Sequence, residues 1–201
     1  MLYYIVYILG FIIAEKTVTT GYWVSWCRLD DSVPFVKEFV LVYVLWYPLM
    51  VGMSLWLLFT DKRAFVRYAM SCIIGLSASV ILFFIFPSGQ NLRPETVPGN
   101  DLCALVLRSI YAADTNTNVM PSMHVVGTLA AMAGACDTPT IRRWVKAALV
   151  VLGILINLST VLVKQHSVLD ILGGILLFIP IYLLVYRLPD MRRARLTKEG
   201  K

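Results

Sequence analysis

Charged residues are scarce in this chain of 201 residues, at 15% of the total, whereas hydrophobic residues make up 59%. A soluble domain usually carries about 25% charged and about 45–50% apolar residues. The balance excludes an ordinary soluble domain and predicts a polytopic membrane protein, in line with a mean hydropathy of +0.75. The formal net charge of +6 does not indicate a nucleic-acid partner, because no basic stripe interleaves with aromatic residues.

Cysteine and histidine are also rare, with four and two copies. The cysteines form no C-x-x-C pair and no metal-ligand spacing. Cys72 and Cys136 lie in or beside apolar runs and are expected to pack as small hydrophobic residues. A disulfide between Cys27 and Cys103 is a minor alternative. Since two histidines have no obvious third ligand near them, we expect neither a metal nor another cofactor.

The beginning of the chain lacks the features of a cleaved signal peptide. No positively charged region precedes the apolar stretch 2–14, and no small-residue cleavage site follows it. The chain also has no internal repeat and no low-complexity tract. We therefore expect a single membrane domain over residues 1–201, with a first span that is short at its N-terminal end.

What the chain does contain is a series of apolar runs, and a membrane-spanning helix needs about 20 such residues. The runs predict an all-α bundle of six spans. The six predicted spans lie at residues 2–20, 39–59, 68–86, 119–135, 147–163 and 167–186, and the first of them is apolar over 2–14 and runs on through 15–20. The fourth run is rich in glycine and alanine, which indicates a tightly packed helix at the centre of the bundle. The long connection at 87–117 contains a short amphipathic stretch, 102–113, which is expected to act as a lid or to cover the bundle.

The distribution of cations predicts the orientation of these spans. Twelve of the 18 lysines and arginines fall on the side that holds the basic tail at 187–201. The positive-inside rule then places both termini in the cytoplasm. The connection at 87–117 and the starts of the fourth and sixth spans are extracytoplasmic in this topology. We expect an integral protein of a bacterial plasma membrane with an extracytoplasmic site.

Three ionisable residues occur at the starts of the two spans on that face. His166 and Asp170 are one helical turn apart, so the carboxylate can hold one imidazole nitrogen and direct the other outward as a nucleophile. The alternative is that this pair only caps the start of the helix. His124, the other histidine, begins the fourth span. Its position predicts that the two imidazoles face each other.

Three further residues on the same face are suited to binding phosphate. Arg93 and Lys164 supply positive charge, and Ser122 lies where a helix start offers free backbone amides. The pattern favours phosphoryl transfer, in which His166 attacks phosphorus and His124 protonates the leaving oxygen. The rival hypothesis is a proton-relaying transporter, which predicts ionisable residues at several depths of the membrane. The spans carry few charges away from their outer ends, which argues against it.

These residues also carry a resemblance to a known family. Pro121-Ser122-Met123-His124 resembles the Pro-Ser-Gly-His motif of the type 2 phosphatidic acid phosphatase superfamily. The spacing His166-x3-Asp170 resembles the end of its last motif, Ser-Arg-x5-His-x3-Asp, with Ser159 in register. Arg93-Pro94 is similar to the end of its first motif, Lys-x6-Arg-Pro. The three motifs occur in the family's order within residues 87–170.

The resemblance implies a six-helix membrane bundle that dephosphorylates lipids through a phosphohistidine, without a metal. It implies that His166 is the nucleophile, Asp170 its partner and His124 the acid. It also implies that Arg93 and Ser122 bind the phosphate. The expected function is therefore that of a lipid phosphate phosphatase, whose partner is a phosphorylated membrane lipid.

Three departures from the motifs modify this expectation. Phe86 stands where the first motif has lysine, Thr160 where the last motif has arginine, and Met123 where the middle motif has glycine. Two cationic contacts are missing, and Lys164 is the expected substitute. The ending Lys-x-His-x3-Asp resembles the branch that contains inositol phosphorylceramide synthases, which transfer a phosphoryl-linked headgroup to a lipid alcohol. Such transfer is the second expected reaction, after hydrolysis.

Overall fold

A computed structural model of the protein describes residues 2–191, with side chains from residue 9 onward. The predicted basic tail lies mostly outside the described residues. The helices are α1 (Leu2–Thr17), α2 (Arg28–Ser32), α3 (Lys37–Thr60), α4 (Lys62–Ile85), α5 (Leu102–Ala113), α6 (Met123–Asp137), α7 (Arg143–Leu162) and α8 (Val168–Met191). Two short parallel strands, β1 (Trp23–Val24) and β2 (Ser88–Gly89), pair with each other.

Within this described part of the chain, four helices are long and apolar enough to cross a membrane: α3, α4, α7 and α8, with 20 or 24 residues each. At about 1.5 Å of rise per residue, such helices match a hydrocarbon core of about 30 Å. These four confirm the predicted second, third, fifth and sixth apolar helices and indicate a membrane protein. The predicted first and fourth spans form the shorter helices α1 and α6, of 16 and 15 residues. Six spans therefore stay a prediction.

Helix α6 lies at the centre of the bundle, where it packs against α3, α4, α7 and α8. Glycines allow the neighbouring helices to approach α6 closely. A Cβ placed on Gly174 of α8 would lie 2.8 Å from Val125 Cβ of α6. The Cβ of an alanine at Gly153 of α7 would lie 2.9 Å from Thr128 Cγ2. The prediction of a tightly packed central fourth helix is confirmed.

The amphipathic stretch of the long connection forms α5, with the bounds that the sequence predicts. Its buried residues Ala104 and Leu107 belong to a hydrophobic cluster with Val40 and Tyr43 of α3 and Val163 at the end of α7. Because the apolar face of α5 is packed in this way, the helix covers one end of the bundle.

The opposite end of the bundle is tied together by polar contacts. Arg67 of α4 donates to Asp137 at the end of α6 over 2.9 Å, and its other terminal nitrogen donates to Asp190 of α8 over 2.5 Å. The Thr138 hydroxyl donates to Asp61 over 2.8 Å. Helices α6 and α8 both terminate at this end of the bundle. Their starts therefore lie together at the opposite end, which α5 covers.

Candidate active site

The predicted pair His166 and Asp170 lies at the start of α8. His166 Nδ1 is 3.3 Å from Asp170 Oδ2, and both side chains are buried. Asp170 Oδ2 also accepts the backbone N–H of Ser167, the N-cap residue, over 2.8 Å. The carboxylate therefore contacts the imidazole and caps the helix at once, so the two interpretations of the spacing do not exclude each other.

The second histidine lies beside the first. The ring centroids of His124 and His166 are 5.7 Å apart, with the planes at 63°. The His124 ring also contacts Tyr43 and Trp46, at centroid distances of 4.5 and 4.8 Å. Trp46 Nε1 donates to the backbone oxygen of His124 over 3.1 Å, which holds the first turn of α6 against α3. The two imidazoles, one from α6 and one from the turn before α8, thus lie close enough for both to contact one phosphate group.

Unpartnered polar atoms concentrate next to these rings. Among the described residues, five buried side-chain nitrogen or oxygen atoms have no hydrogen-bond partner: Arg93 Nε, Asn118 Oδ1, Ser122 Oγ, His124 Nε2 and Asn157 Oδ1. A buried polar group left unpaired costs about 1–3 kcal/mol, so each one calls for a functional explanation. Three of the five fall between residues 118 and 124, at the start of α6. A polar ligand bound there would supply their missing partners.

Ser122 occupies the N-cap position of α6, and its side chain is completely buried. Its hydroxyl makes no capping hydrogen bond. The first backbone amides of any helix have no partner within that helix, and they form the positive end of its dipole. Hydroxyl and amides together offer an anion-binding position beside His124.

A cavity of about 350 Å³ adjoins the two histidines. Its lining combines aromatic side chains with residues that carry carboxylate, hydroxyl and amide groups. The aromatic residues are Phe11, Tyr43, Trp46 and Tyr47, and the polar ones are Asp114, Thr115, Thr117, Asn118 and Gln165. A cavity of this size and mixed lining suits a small polar group attached to an apolar body.

Arg93 lies behind this cavity and does not line it. Its guanidinium donates to the backbone oxygens of Asp114 and Thr115 over 2.8 and 2.6 Å, and to the side-chain oxygen of Gln165. It also lies 4.6 Å from the ring centroid of Tyr111. The structure therefore brings Arg93 to the loop that follows α5 and to Gln165, the residue before His166.

Lys164 is also held elsewhere. Its ammonium donates to the backbone oxygens of Asp30 and Val33, over 3.0 and 2.7 Å. The residue is buried, with a left-handed φ of 54°, and it does not line the histidine cavity. In this arrangement Lys164 anchors α2 and the residue that follows it, and its phosphate-binding role stays a prediction.

Two residues of the segment between α1 and α3 contact the site, and the sequence analysis assigned them no role. Ser25 Oγ donates to Asp170 Oδ1 over 2.5 Å. Asp30 accepts the Ser167 hydroxyl over 2.7 Å and the Val168 N–H over 2.8 Å. Their partners lie 145 and 137 residues away in the sequence. No local pattern signals contacts over such separations.

Asp114 is a further residue that sequence reasoning did not assign to the site. Its carboxylate lies on the cavity wall and accepts Gln165 Nε2 over 3.1 Å. Burial, together with the nearby Glu15 carboxylate, raises the pKa of Asp114 to about 6. Glu15 accepts the amide nitrogen of the Asn118 side chain over 2.9 Å. The run of five polar residues at 114–118, shortly before the motif at 121–124, was the sequence feature from which this part of the cavity lining could have been predicted.

For the residues that the structure describes, no group of three or more His, Cys, Asp or Glu side chains is arranged to hold a metal ion. No protein family model, curated protein or solved structure matches this chain.

Proposed function

We propose that this protein is an integral membrane enzyme that hydrolyses the phosphate of a phosphorylated lipid through a phosphohistidine intermediate. The observation that carries the proposal is the pair of imidazoles, 5.7 Å apart, of which His166 contacts the buried Asp170. The unpartnered Ser122 hydroxyl beside them supports it. So does the resemblance of the three motifs to the lipid phosphatase superfamily.

In the proposed first step, His166 Nε2 attacks phosphorus and the bond from phosphorus to the lipid oxygen breaks. Asp170 stabilises the positive charge that develops on the imidazole, through the proton on Nδ1. His124 gives its proton to the leaving lipid oxygen. In the second step water attacks the phosphohistidine, His124 takes up a proton from that water, and inorganic phosphate leaves. Both histidines are then restored.

The phosphate oxygens need hydrogen-bond donors throughout this cycle. Ser122 Oγ and the first amides of α6 are the nearest candidates, because the positive end of the helix dipole favours an anion there. In the structure, Arg93 and Lys164 both donate to backbone carbonyl groups. We therefore assign both residues first to stabilising the loops around the site.

The position of the site at the mouths of helices supports a lipid substrate. We propose that α1 and α6 complete a six-span bundle in a bacterial plasma membrane, with the site at the extracytoplasmic face. The excess of cations at the other end supports this orientation. A site at helix mouths is reached sideways by the headgroups of amphiphiles, and the aromatic wall of the cavity suits their apolar part.

Transfer of a headgroup to a lipid alcohol is the second candidate reaction. Asn118 Oδ1 favours it, because this buried acceptor on the cavity wall has no partner, and Asp114 adds a carboxylate to the same wall. Such acceptors suit a headgroup that carries hydrogen-bond donors beyond its phosphate. A proton relay lacks comparable support, since the buried charged side chains at Asp30, Arg67 and Lys164 lie toward the ends of the bundle.

The test is phosphate release by the protein purified in detergent, with phosphatidic acid and a polyprenyl phosphate as substrates. We expect His166→Gln to lower turnover by about a thousandfold or more, because the nucleophile is removed. His124→Gln keeps the nucleophile and serves as the matched variant. It should still incorporate labelled phosphate into the chain in an acid-labile form. Undiminished turnover in His166→Gln would contradict the proposal. Product that forms only after a lipid alcohol is added would favour transfer over hydrolysis.

A further inference from the structure

The segment 22–33 presents two different faces. Ser25 and Asp30 are 0% and 2% exposed and point to the start of α8. Trp23, Trp26 and Leu29 are 42%, 47% and 62% exposed. Tryptophan is enriched where proteins meet the membrane interface, so the outer face is suited to lie there. The polar face is buried against the very turn that carries His166.

Ser25 completes the set of contacts around Asp170. The carboxylate oxygen Oδ2 accepts Ser167 N–H and lies 3.3 Å from His166 Nδ1, whereas Oδ1 accepts the Ser25 hydroxyl. The histidine contact is the longest of the three. Its geometry therefore depends on what prevents the carboxylate from rotating, and Ser25 is the side chain that contacts the far oxygen.

Asp30 and Lys164 fasten the same segment on both sides of His166. Asp30 accepts two hydrogen bonds from the residues that begin α8, and its other contact, the N–H of Cys27 over 2.8 Å, closes the turn of its own segment. Lys164 donates to the backbone of Asp30. The segment is thus attached to residues before and after the nucleophile, which makes it part of the support of the site.

We propose that Ser25 is a positioning residue: its hydroxyl fixes the Asp170 carboxylate, which holds the His166 imidazole in the orientation that attacks phosphorus. Asp30 keeps Ser25 in place by fastening its segment to the start of α8. The effect on turnover rests on the proposed phosphatase function. The effect on the imidazole itself does not, so the two are tested separately.

The first measurement is nuclear magnetic resonance on protein labelled with ¹⁵N-histidine. The chain has two histidines, so each imidazole is resolved, and His124→Gln assigns them. A ring N–H that donates to a carboxylate gives a proton signal far downfield. In Ser25→Ala we expect the His166 signal to move upfield and to exchange with water about tenfold faster, because the carboxylate is less firmly held. Asp170→Asn removes the carboxylate and defines the case in which the downfield His166 signal is lost completely.

Matched variants separate positioning from a general loss of structure. Ser25→Thr keeps the hydroxyl and should restore the signal. Ser79→Ala also removes a completely buried serine hydroxyl, but that hydroxyl donates to Gly75 O within α4, so the His166 signal should stay unchanged. If Ser25→Ala does not fold, Asp30→Asn tests the same attachment and should weaken the signal to a smaller degree. A wild-type His166 signal in the folded Ser25 or Asp30 variant would overturn the proposal.

The second measurement is steady-state kinetics. For the active enzyme, Ser25→Ala should lower kcat about 10- to 100-fold with KM changed less than about twofold, since the substrate contacts remain and the nucleophile is misoriented. Ser25→Thr should recover most of kcat. An altered KM with unchanged kcat would overturn the positioning role. A wild-type protein without turnover would refute the phosphatase function alone, because the His166 signal decides the positioning role by itself.

Discussion

Asp114 lines the cavity, and its charge depends on pH in a range that can be tested. Burial, with Glu15 adding to it, raises the pKa of Asp114 from 3.8 to about 6. The folded protein therefore holds this proton more tightly than the unfolded chain does. The stability that results is complete below a pH of about 4 and is lost as the pH rises through about 6.

We accordingly expect the thermal midpoint of the wild type in detergent to decrease as the pH is raised from about 4 to about 7. The free energy of unfolding that Asp114 contributes over this range is at most on the order of 3 kcal/mol. Asp114→Asn keeps an acceptor for Gln165 and cannot ionise, so its midpoint should depend less on pH over that window. Thermal unfolding of both proteins at several pH values checks this. Parallel curves for the two proteins would show that Asp114 does not cause the dependence.

Lys164 allows a test of whether a cation near the site binds substrate or stabilises the fold. Its ammonium donates to two backbone oxygens, of Asp30 and Val33. Lys164→Met leaves both acceptors without this donor, and we expect a loss of stability on the order of 2 kcal/mol. The stabilisation by orthovanadate, a phosphate analogue, should be the same in the variant as in the wild type. A variant of normal stability that no longer responds to orthovanadate would instead make Lys164 a direct phosphate ligand.

At the scale of helices, the position of α6 determines the site, because His124 and Ser122 lie at its start. Helix α8 supplies Asp170, and the turn before it supplies His166; α6 and α8 meet closely at Gly174. A Cβ there would lie 2.8 Å from Val125 Cβ and 3.0 Å from the backbone oxygen of Ser122. The distance between the two imidazoles therefore depends on the absence of a side chain at residue 174.

Gly174→Ala should separate α6 from α8. We expect a loss of about 1–3 kcal/mol through overpacking and a fall in kcat of about tenfold or more as the imidazoles move apart. Gly52→Ala in α3 is the control, since a Cβ at residue 52 would meet nothing within 4 Å. That control should be neutral or slightly stabilising, because alanine favours a helix over glycine. Equal stability and turnover of the two variants would show that close packing at Gly174 does not determine the distance between the two imidazoles.

At the scale of the whole molecule, the bundle has two chemically different ends. One holds the imidazoles, the acidic cavity wall and α5, and the other holds the cations and carboxylates around Arg67. Cys136, at the end of α6, is exposed at the second end. It therefore reports which side of the membrane this end faces.

In a variant whose only cysteine is Cys136, a membrane-impermeant maleimide should not label the protein in intact cells. It should label the protein once the cells are permeabilised. Asn91 lies in the exposed connection at the site end. Asn91→Cys in a cysteine-free background should be labelled in intact cells. The reverse pattern would place the site in the cytoplasm. Labelling of both positions from one side would contradict a bundle whose two ends face opposite compartments.

Local features of the sequence determined much of this protein. Length and hydropathy predicted the four long helices, because a segment in a bilayer must satisfy its own backbone hydrogen bonds. The four-residue spacing predicted the contact between His166 and Asp170, which the structure makes from the turn before α8 to the first turn of that helix. The small residues of the fourth apolar run predicted a central helix, because they permit close approach.

Only the tertiary structure decided which polar side chains share the site. The Arg93 and Lys164 side chains went to backbone oxygens that loop packing had left without donors. Ser25 reached Asp170 across 145 residues of sequence. Such contacts depend on where distant loops meet at the end of the bundle, and hydrophobic periodicity carries no information about that. The physical reason is that a helix is specified by residues within one turn of each other. The hydrogen-bond partner of a buried polar group, in contrast, depends on which distant segments pack against it.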